Sequence, residues 1–488
     1  MRLAVVGNPD NRRVALFTEA VLRAGLPAPV VYPWRDVLSP AATPSTSGGF
    51  PAALSPSGTY RAALSSPGDS PTASGPFPAD LPTSAASGPF PADLPTSAAS
   101  GPFPADLPTS AASGPFPADL PSFGGSSGGS VSPRPGPGTL VRIESPGEDA
   151  EVDRLLREIG SGRPAVAAEH GEIVGTAAAF AGLRQALDRV AAGGGTLLNH
   201  PGDILTMSDK PRCHALLAAA GIPVPPALPP VHDYASLRAA MAEAGWSRVF
   251  VKPAHGSSAS GVLAFATSGR RVTAATSVEL SGDKIFNNLR VRRYDDEASI
   301  AAIVDRLGPD GLHVERWFPK AALGDRVLDL RVVVIAGEPR HVVVRTSRSP
   351  MTNLHLGNAR GDVAAVRAAA GERSWAAAME TCARVAACFP GSLHAGVDLM
   401  FRAGWRDHAV AEVNAFGDLL PRVLADGVDT YGAQVAALTA GWSPTATMGA
   451  QVAALTAGSP PTATMGAQLT APTAGSSPTA AIIDGAGA

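Results

Sequence analysis

A proline-rich tandem repeat limits how much of this chain can build a folded core. The repeat unit has 13 residues, Ser-Gly-Pro-Phe-Pro-Ala-Asp-Leu-Pro-Thr-Ser-Ala-Ala, and copies begin at Ser74, Ser87, Ser100 and, in shortened form, Ser113. Three prolines in each unit exclude a helix and disfavour a central strand. We therefore predict that residues 39–138 are a disordered insertion, with a polyproline segment that binds a partner as the alternative.

A second repetitive segment occupies the end of the sequence. Its 17-residue unit begins at Gly432 and Gly449 and, in degraded form, at Gly466. Prolines recur through the later copies, so they cannot form a long helix. We predict that the first copy completes the last helix of the folded part and that residues 439–488 form a disordered tail. A protein partner that docks on the repetitive segments is a further hypothesis.

The folded pattern at the N-terminus is interrupted by the first repeat. Residues 1–38 read as strand, helix and strand, and Thr139–Ile143 reads as another strand. Ser145 is predicted to cap the next helix, with Pro146 at its first position. Because the cost of closing a loop grows only with the logarithm of its length, one domain can contain the insertion. Residues 1–38 and 139–205 are thus predicted to form one Rossmann-like domain.

Charge and cysteine content exclude several classes of protein. The net charge is −3, which gives no indication of nucleic-acid or anionic-membrane binding. Cys213, Cys382 and Cys388 form no CxxC pair, so the sequence indicates neither a disulfide framework nor a zinc site. The sequence contains no run of about 18 apolar residues. We expect a cytoplasmic protein.

Two lysines stand where a phosphate group could bind, although the sequence has no P-loop motif and no GxGxxG after a strand. Lys210 follows Asp209 in the first turn of a predicted helix, where a cation opposes the helix dipole unless an anion is bound. Lys252 ends a predicted strand, and the small residues of 256–261 would let backbone N–H groups approach phosphate oxygens. The alternatives are an ordinary helix start and a solvated turn.

Charged residues recur at the ends of the following strands. Asp329, Arg331 and Arg345 lie on two strands with the pattern of a hairpin, after Glu315. A polar loop, residues 352–358, comes next. These side chains can face a cleft, or they can be solvated at the rim of a sheet.

The most informative cluster is a pair of strands that carry acids. Asp398 lies on the first strand, and Glu412 and Asn414 lie two residues apart, hence on one face, of the second. Hard oxygen donors without histidine or cysteine suit Mg²⁺, which usually shares its shell with phosphates. The alternative is a polar face of the sheet. The cluster predicts a nucleotide, as the lysines do independently.

Together these motifs resemble the ATP-grasp superfamily, in the style of ribosomal-protein glutamate ligases and glutathione synthetase. In combination with Ser145-Pro-Gly-Glu and the N-terminal strand pattern, they also resemble an uncharacterised bacterial subgroup of that superfamily. The motifs occur in the family's order over about 210 residues, and they are Asp209-Lys210, Val251-Lys252-Pro253, Glu315, Asp329-Leu-Arg331, Asn353-Leu-His355, Gly396-Val-Asp398 and Glu412-Val-Asn414.

The resemblance implies an α/β (α+β) ATP-grasp fold. A Rossmann-like N-terminal domain would precede two ATP-grasp subdomains with mixed or antiparallel sheets, at residues 206–265 and 266–438. It also implies a nucleotide site: Lys210 and Lys252 would contact the ATP phosphates. The remaining cofactor-binding residues would be Gly256, Ser257, Ser258 and Gly261 in the loop, with Glu315, Trp317 and Asp329.

The resemblance further implies the metal and substrate residues. Asp398, Glu412 and Asn414 would hold one or two Mg²⁺ ions. Arg331 and Arg345 would neutralise charge on the γ-phosphate or on an acyl phosphate, and Asn353 and His355 would face the acceptor substrate.

The function implied is ATP-dependent ligation of a small-molecule or peptide carboxylate to an amine through an acyl phosphate. The alternatives are a small-molecule kinase of the same superfamily and an ATP-binding partner protein with little turnover. Phe416 departs from the small residue, proline and glycine that usually follow the Glu-x-Asn motif, which puts the substrate in doubt. A homo-oligomer is also an expectation.

Overall fold

The computed structural model describes residues 1–39, 134–256, 259–416, 420 and 422–444. The strands are β1 Arg2–Gly7, β2 Val30–Pro33, β3 Thr139–Ile143, β4 Thr196–Leu197, β5 Arg248–Pro253, β6 Leu263–Ser268, β7 Arg271–Ser281, β8 Lys284–Tyr294, β9 Leu312–Arg316, β10 Ala322–Leu323, β11 Arg326–Ile335, β12 Glu338–Ser347, β13 Ala359–Gly361, β14 His394–Phe401 and β15 His408–Asn414. The helices are α1 Arg12–Arg23, α2 Trp34–Leu38, α3 Ala150–Ser161, α4 Thr176–Ala191, α5 Pro201–Met207, α6 Lys210–Ala219, α7 Tyr234–Glu243, α8 Glu297–Leu307, α9 Val363–Ala387 and α10 Thr430–Thr439. Most of the predicted insertion and of the predicted tail lies outside the described residues.

The N-terminal sheet is parallel, as the Rossmann-like prediction requires. Its strand order is β2-β1-β3-β4. The strand predicted at Thr139–Ile143 pairs in register with Arg2–Val6 of β1, although about 130 residues separate the two strands in the chain. Helices α1 and α10 pack on this part of the structure, and the first copy of the C-terminal repeat does form the last helix described.

The predicted start of the helix after β3 is wrong. Ser145 and Pro146 precede the helix, which begins at Ala150 with Asp149 as its cap. The Asp149 carboxylate accepts hydrogen bonds from the backbone N–H groups of Glu151 and Val152. The helix is therefore capped by Asp149, directly after Glu148 with its φ of 72°, and not by Ser145.

The second sheet is antiparallel and has the strand order β8-β7-β6-β5-β9. Its core is made by apolar side chains of the strands with those of α7 and α8, including Leu237, Phe265 and Ile303. The boundary predicted between residues 265 and 266 falls inside β6, so the sheet does not end there but continues to Arg316.

The third sheet is also antiparallel, with the order β13-β12-β11-β14-β15 and with β10 paired to β11. Both predicted hairpins, β11 with β12 and β14 with β15, are confirmed. One face of the sheet packs against α9 through Val397, Leu399 and Trp375. On the other face, Val333 and Ile335 belong to the same core as Leu3 and Val5 of β1. The sheet is therefore covered by α9 on one face and, around Val333 and Ile335, by the N-terminal part on the other.

The longest helix, α9, has 25 residues and is broken at Gly371, whose φ of 74° and ψ of 154° are not helical. Cys382 lies on this helix and Cys213 on α6, and both are buried. Among the helices of the described residues, none has the length and apolarity that crossing a membrane requires.

Candidate functional site

A cavity forms where residues of the second and third sheets meet, and it contains about 730 Å³ of empty space including its mouth. Its walls combine cationic, acidic and apolar side chains. The lining residues are Lys210, Pro225, Phe250, Lys252, Gly256, Ala259, Ser260, Val262, Glu315, Arg316, Phe318, Lys320, Asp329, Arg345, Pro350, Met351, Thr352, Asn353, Asp398, Met400, Ala411 and Glu412.

Lys252 reaches the cavity from the end of β5. Its Nζ donates to Glu315 Oε2 at 2.7 Å and to the carbonyl oxygen of Ala411, on β15, at 3.2 Å. His313 Nε2 lies 3.0 Å from the other Glu315 oxygen. Burial raises the pKa of Glu315, but Lys252 and His313 lower it more, to about 2. Burial also lowers the pKa of His313, so we assign a neutral ring that donates from Nε2.

Lys210 enters at the first turn of α6, which Asp209 caps. Its Nζ donates to the carbonyl oxygen of Gly256 at 2.7 Å and lies 3.3 Å from Glu412 Oε1. Lys210 and the loop that begins at Gly256 were each predicted to bind phosphate, and this hydrogen bond brings them into contact.

A row of charged side chains crosses the third sheet beneath these lysines. Asp329 lies opposite Arg345, Arg331 lies opposite Asp398, and Asp398 lies opposite Glu412 on β15. Arg345 Nε donates to Asp329 Oδ1 at 2.7 Å, and its Nη2 lies 3.1 Å from Asp398 Oδ2. Arg331 donates to both oxygens of Asp398 through Nε and Nη2. Burial raises the pKa of Asp398, but Arg331 and Arg345 outweigh it and lower that pKa.

Lys320 was not predicted as a site residue, yet it lies in the cavity. Its Nζ donates to Thr352 Oγ1 at 2.8 Å and to Asp329 Oδ2 at 3.2 Å. Burial lowers its pKa, which Asp329 partly opposes. The sequence did hold a signal: the chain has only four lysines against 35 arginines, and three of the four line this cavity.

Two of the three predicted metal ligands line the cavity. Asp398 and Glu412 do so from adjacent strands. Asn414 lies on the same strand as Glu412, but its Nδ2 donates to the carbonyl oxygen of Gly396 at 3.3 Å, and it does not line the cavity. In the described part of the chain, no three His, Cys, Asp or Glu side chains are grouped as a metal site. A metal ion beside Asp398 and Glu412 would therefore need further ligands from a bound substrate or from water.

The other predicted residues divide into three groups. Gly256, Asn353, Asp329 and Arg345 line the cavity together with the lysines, Glu315, Asp398 and Glu412, while Arg331 lies behind Asp398. Gly261, Trp317 and His355 do not line it. Ser257 and Ser258 lie outside the described residues.

The residues that miss the cavity have identifiable surroundings. Trp317 follows the last residue of β9, and its ring packs on Phe250 at 4.9 Å between centroids. Gly261 has a φ of +74°, and a side chain there would come within 2.5 Å of Pro253. Gly261 therefore shapes the loop without contacting the cavity. His355 is exposed in a short 3₁₀ helix.

The chain matches no family model, and no curated protein matches its sequence. Its structure is similar to solved ATP-grasp ligases. A complex of the ATP-grasp ligase PsnB with minimal precursor, Mg and ADP has a TM-score of 0.42 and 16% identity, over 90% of this chain and 96% of that one. For the D-cycloserine synthetase DcsG the TM-score is 0.38 at 16% identity, over 62% and 83% of the two chains.

A third similar structure is the RimK domain protein ATP-grasp from Sphaerobacter thermophilus. Its TM-score is 0.33 at 18% identity, over 52% of this chain and 75% of that one. All three scores lie below 0.5.

Proposed function

We propose that this chain is an ATP-grasp enzyme that uses Mg²⁺-ATP to join a carboxylate to an amine. One observation carries the proposal: three of the chain's four lysines and two carboxylates from adjacent strands meet in a single cavity. Outside this cavity almost every basic residue of the chain is an arginine. Lysine supplies a compact point charge, which suits phosphate oxygens.

The nucleotide would lie with its phosphates at the β15 side of the cavity. Besides their shorter contacts with Gly256 and Glu315, Lys210 and Lys252 each have a partner there, on Glu412 and on the carbonyl oxygen of Ala411. A phosphate chain would add further charged acceptors beside these two lysines. The apolar side chains of Phe250, Val262 and Met400 line the same cavity and would accommodate the base.

The carboxylates fit a magnesium ion that is shared with phosphates. Asp398 and Glu412 present hard oxygens from directly opposed positions, and one or two carboxylates plus phosphates is the usual magnesium shell. When bound, the ion would neutralise charge on the phosphates. Asn414 would support the strand through Gly396.

The chemistry needs positioning and positive charge more than a covalent nucleophile. A carboxylate oxygen of the acid substrate would attack the γ-phosphorus, and ADP would leave. The amine would then attack the carbonyl carbon of the acyl phosphate, phosphate would leave, and the amine would lose a proton. Arg345 and Arg331, fixed by Asp329 and Asp398, would hold positive charge beside the transferred group.

The test begins with nucleotide binding. We expect purified protein with Mg²⁺ to bind the non-hydrolysable analogue AMP-PCP, and Lys252→Met to weaken that binding at least tenfold. Lys284 offers a matched control, because it is the fourth lysine, pairs with Glu169 and Glu172 at the edge strand β8, and does not line the cavity. Equal binding by Lys252→Met and Lys284→Met would contradict the assignment.

Turnover then separates the alternatives. With Mg²⁺-ATP and pools of amino acids and carboxylic acids, we expect ADP and phosphate only when an acid and an amine are both present. A phosphorylated product without free phosphate would instead indicate a kinase. Binding of AMP-PCP with no turnover in any pool would favour a partner protein.

A further inference from the structure

The backbone on both sides of His255 contacts Lys210. The carbonyl oxygen of Ala254 accepts a hydrogen bond from the backbone N–H of Lys210 at 3.0 Å. The carbonyl oxygen of Gly256 accepts one from Lys210 Nζ at 2.7 Å. His255 is the residue between these two acceptors. A contact that fixes His255 therefore also fixes the position of the oxygen that holds the lysine side chain.

The His255 ring has such a contact, because it stacks on Phe180 of α4. The two ring centroids are 4.0 Å apart and the planes differ by 8°. Both side chains are half-buried, and His255 Nδ1 lies 3.4 Å from the carbonyl oxygen of Ser208. Burial lowers the pKa of His255, so we assign a neutral ring. Parallel rings at this separation are in van der Waals contact, and each restricts the other.

Phe180 belongs to a helix that is fixed closely to its neighbour α3. Two glycines allow the helix backbones to meet. A Cβ atom on Gly182 would lie 2.0 Å from the carbonyl oxygen of Leu156, and one on Gly160 would lie 1.9 Å from that of Ala178. Because these distances leave no room for a side chain, the two helices pack backbone against backbone. The His255 ring therefore rests on a rigid support.

Helix α4 has a second contact with the part of the chain around the second sheet. Asp310 precedes β9, and its Oδ2 accepts a hydrogen bond from the backbone N–H of Thr176 at 2.7 Å. The first N–H groups of a helix have no partner within the helix, and the preceding residue, Gly175, has no side chain that could cap them. Asp310 supplies the cap from 134 residues away. Helix α4 is thus held at two points, at Asp310 and at His255.

We propose that Phe180 positions His255 and, through it, the Gly256 carbonyl group and Lys210 for binding the phosphates of the nucleotide. The inference rests on the proposed function, and it deepens that function by making α4 a positioning element of the nucleotide site. Neither Phe180 nor His255 lines the cavity, so both act through the backbone of the loop. A loop whose start is already ordered loses less conformational entropy when the nucleotide binds.

The experiment compares a ligand with phosphates and a ligand without them. The probes are AMP-PCP with Mg²⁺, measured by calorimetric titration, and adenosine, measured by saturation-transfer ¹H NMR. The variants are His255→Ala, Phe180→Ala and the double variant. His255→Phe keeps a ring that can stack. His170→Ala is the control, because His170 is exposed and does not line the cavity.

We expect His255→Ala and Phe180→Ala each to weaken AMP-PCP binding at least threefold, as is usual for the loss of one aromatic pair, and to leave adenosine affinity within twofold of the native value. The double variant should lose no more than the larger single loss, because both substitutions remove one contact. His255→Phe should stay within twofold of the native chain, and His170→Ala should match it.

Three results would overturn the proposal: native AMP-PCP affinity in both single variants, an equal loss of adenosine affinity, or losses that add in the double variant. If Phe180→Ala does not fold, Phe180→Leu keeps an apolar side chain without the ring, and we expect it to weaken AMP-PCP binding at least twofold.

A failure of the proposed function can be told apart from a failure of this inference. If the native chain binds no AMP-PCP, the proposed function fails. Tripolyphosphate, which needs no site for a base, then tests the positioning role by itself. Tripolyphosphate affinity that is absent, or that does not depend on the stack of His255 on Phe180, would refute that role.

Discussion

Two buried ionic clusters in this molecule have similar composition and different surroundings. In the N-terminal part, Arg142 donates to Glu144 at 2.5 Å and to Gln434, and its guanidinium lies 5.0 Å from the ring centroids of both Phe17 and Tyr431. In the cavity, Arg345 joins Asp329 and Asp398 and meets Lys320 through a shared carboxylate.

The difference lies in what surrounds each arginine. Arg142 is enclosed by protein and connects α10 to β3, so its charge serves to hold two elements together. Arg345 lines a cavity. Burial of charge alone is therefore a poor indicator of a functional site, whereas buried charge that lines a cavity is a good one.

The largest expected effect is on the enclosed cluster. Arg142→Met leaves Glu144 buried without its cation, and breaking a buried pair in this way costs about 3–5 kcal/mol of unfolding free energy. Because the cluster does not line the cavity, we expect AMP-PCP affinity at low temperature to stay within twofold of the native value. Urea unfolding followed by circular dichroism measures the first quantity, and calorimetric titration the second.

The control is Arg367→Met, which breaks an exposed pair with Glu372 and should leave stability nearly unchanged. A stability loss from Arg142→Met no larger than that of Arg367→Met would show that the enclosed cluster is not structural. A large fall in AMP-PCP affinity would show that the two clusters are coupled.

The sequence predicted the elements of the cavity better than the directions of its side chains. The hairpin of β14 and β15 was predictable because alternation places Asp398, Glu412 and the paired apolar residues on defined faces. Alternation ends with the strand, however. Trp317 follows the last residue of β9, and its contact with Phe250 has no sequence pattern.

Lys320 shows the other limit. It follows a proline, outside any periodic segment, and its partners Asp329 and Thr352 are 9 and 32 residues away. Only tertiary structure brings them together. The composition shows that lysine is rare in the chain, but no local motif indicates that Lys320 lies in the cavity.

A smaller effect is expected from the Glu315 carboxylate, which lines the cavity. Its pKa is lowered from 4.5 to about 2 because Lys252 and His313 outweigh the effect of burial. A depressed pKa stabilises the fold above pH 4.5, and this contribution is lost as the pH falls toward 2. Glu315→Gln removes the contribution of the ionised carboxylate. The difference in unfolding free energy between the native chain and this variant should therefore shrink by about 3 kcal/mol as the pH falls from 4.5 to 2.

Urea unfolding from pH 6 down to the lowest pH at which both proteins unfold cooperatively measures this difference. Glu372→Gln is the control: the pKa of Glu372 is also lowered, by Arg367, but solvent screens that exposed pair. A difference between native chain and Glu315→Gln that is constant with pH would show that Lys252 does not stabilise the ionised Glu315.

The smallest effect concerns the metal residues, where sequence and structure differ most. The sequence predicts three equivalent ligands, whereas in the structure Glu412 lines the cavity and Asn414 binds the carbonyl oxygen of Gly396. We expect Glu412→Gln to weaken Mg²⁺-dependent AMP-PCP binding at least tenfold and Asn414→Ala to weaken it less than tenfold, by about 1 kcal/mol for one lost hydrogen bond. Titrating AMP-PCP at a series of Mg²⁺ concentrations measures both. An amide that only supports its neighbouring strand cannot affect the Mg²⁺ dependence as strongly as a carboxylate that binds the ion. Equal losses of affinity in the two variants would therefore indicate that Asn414 is also a metal ligand.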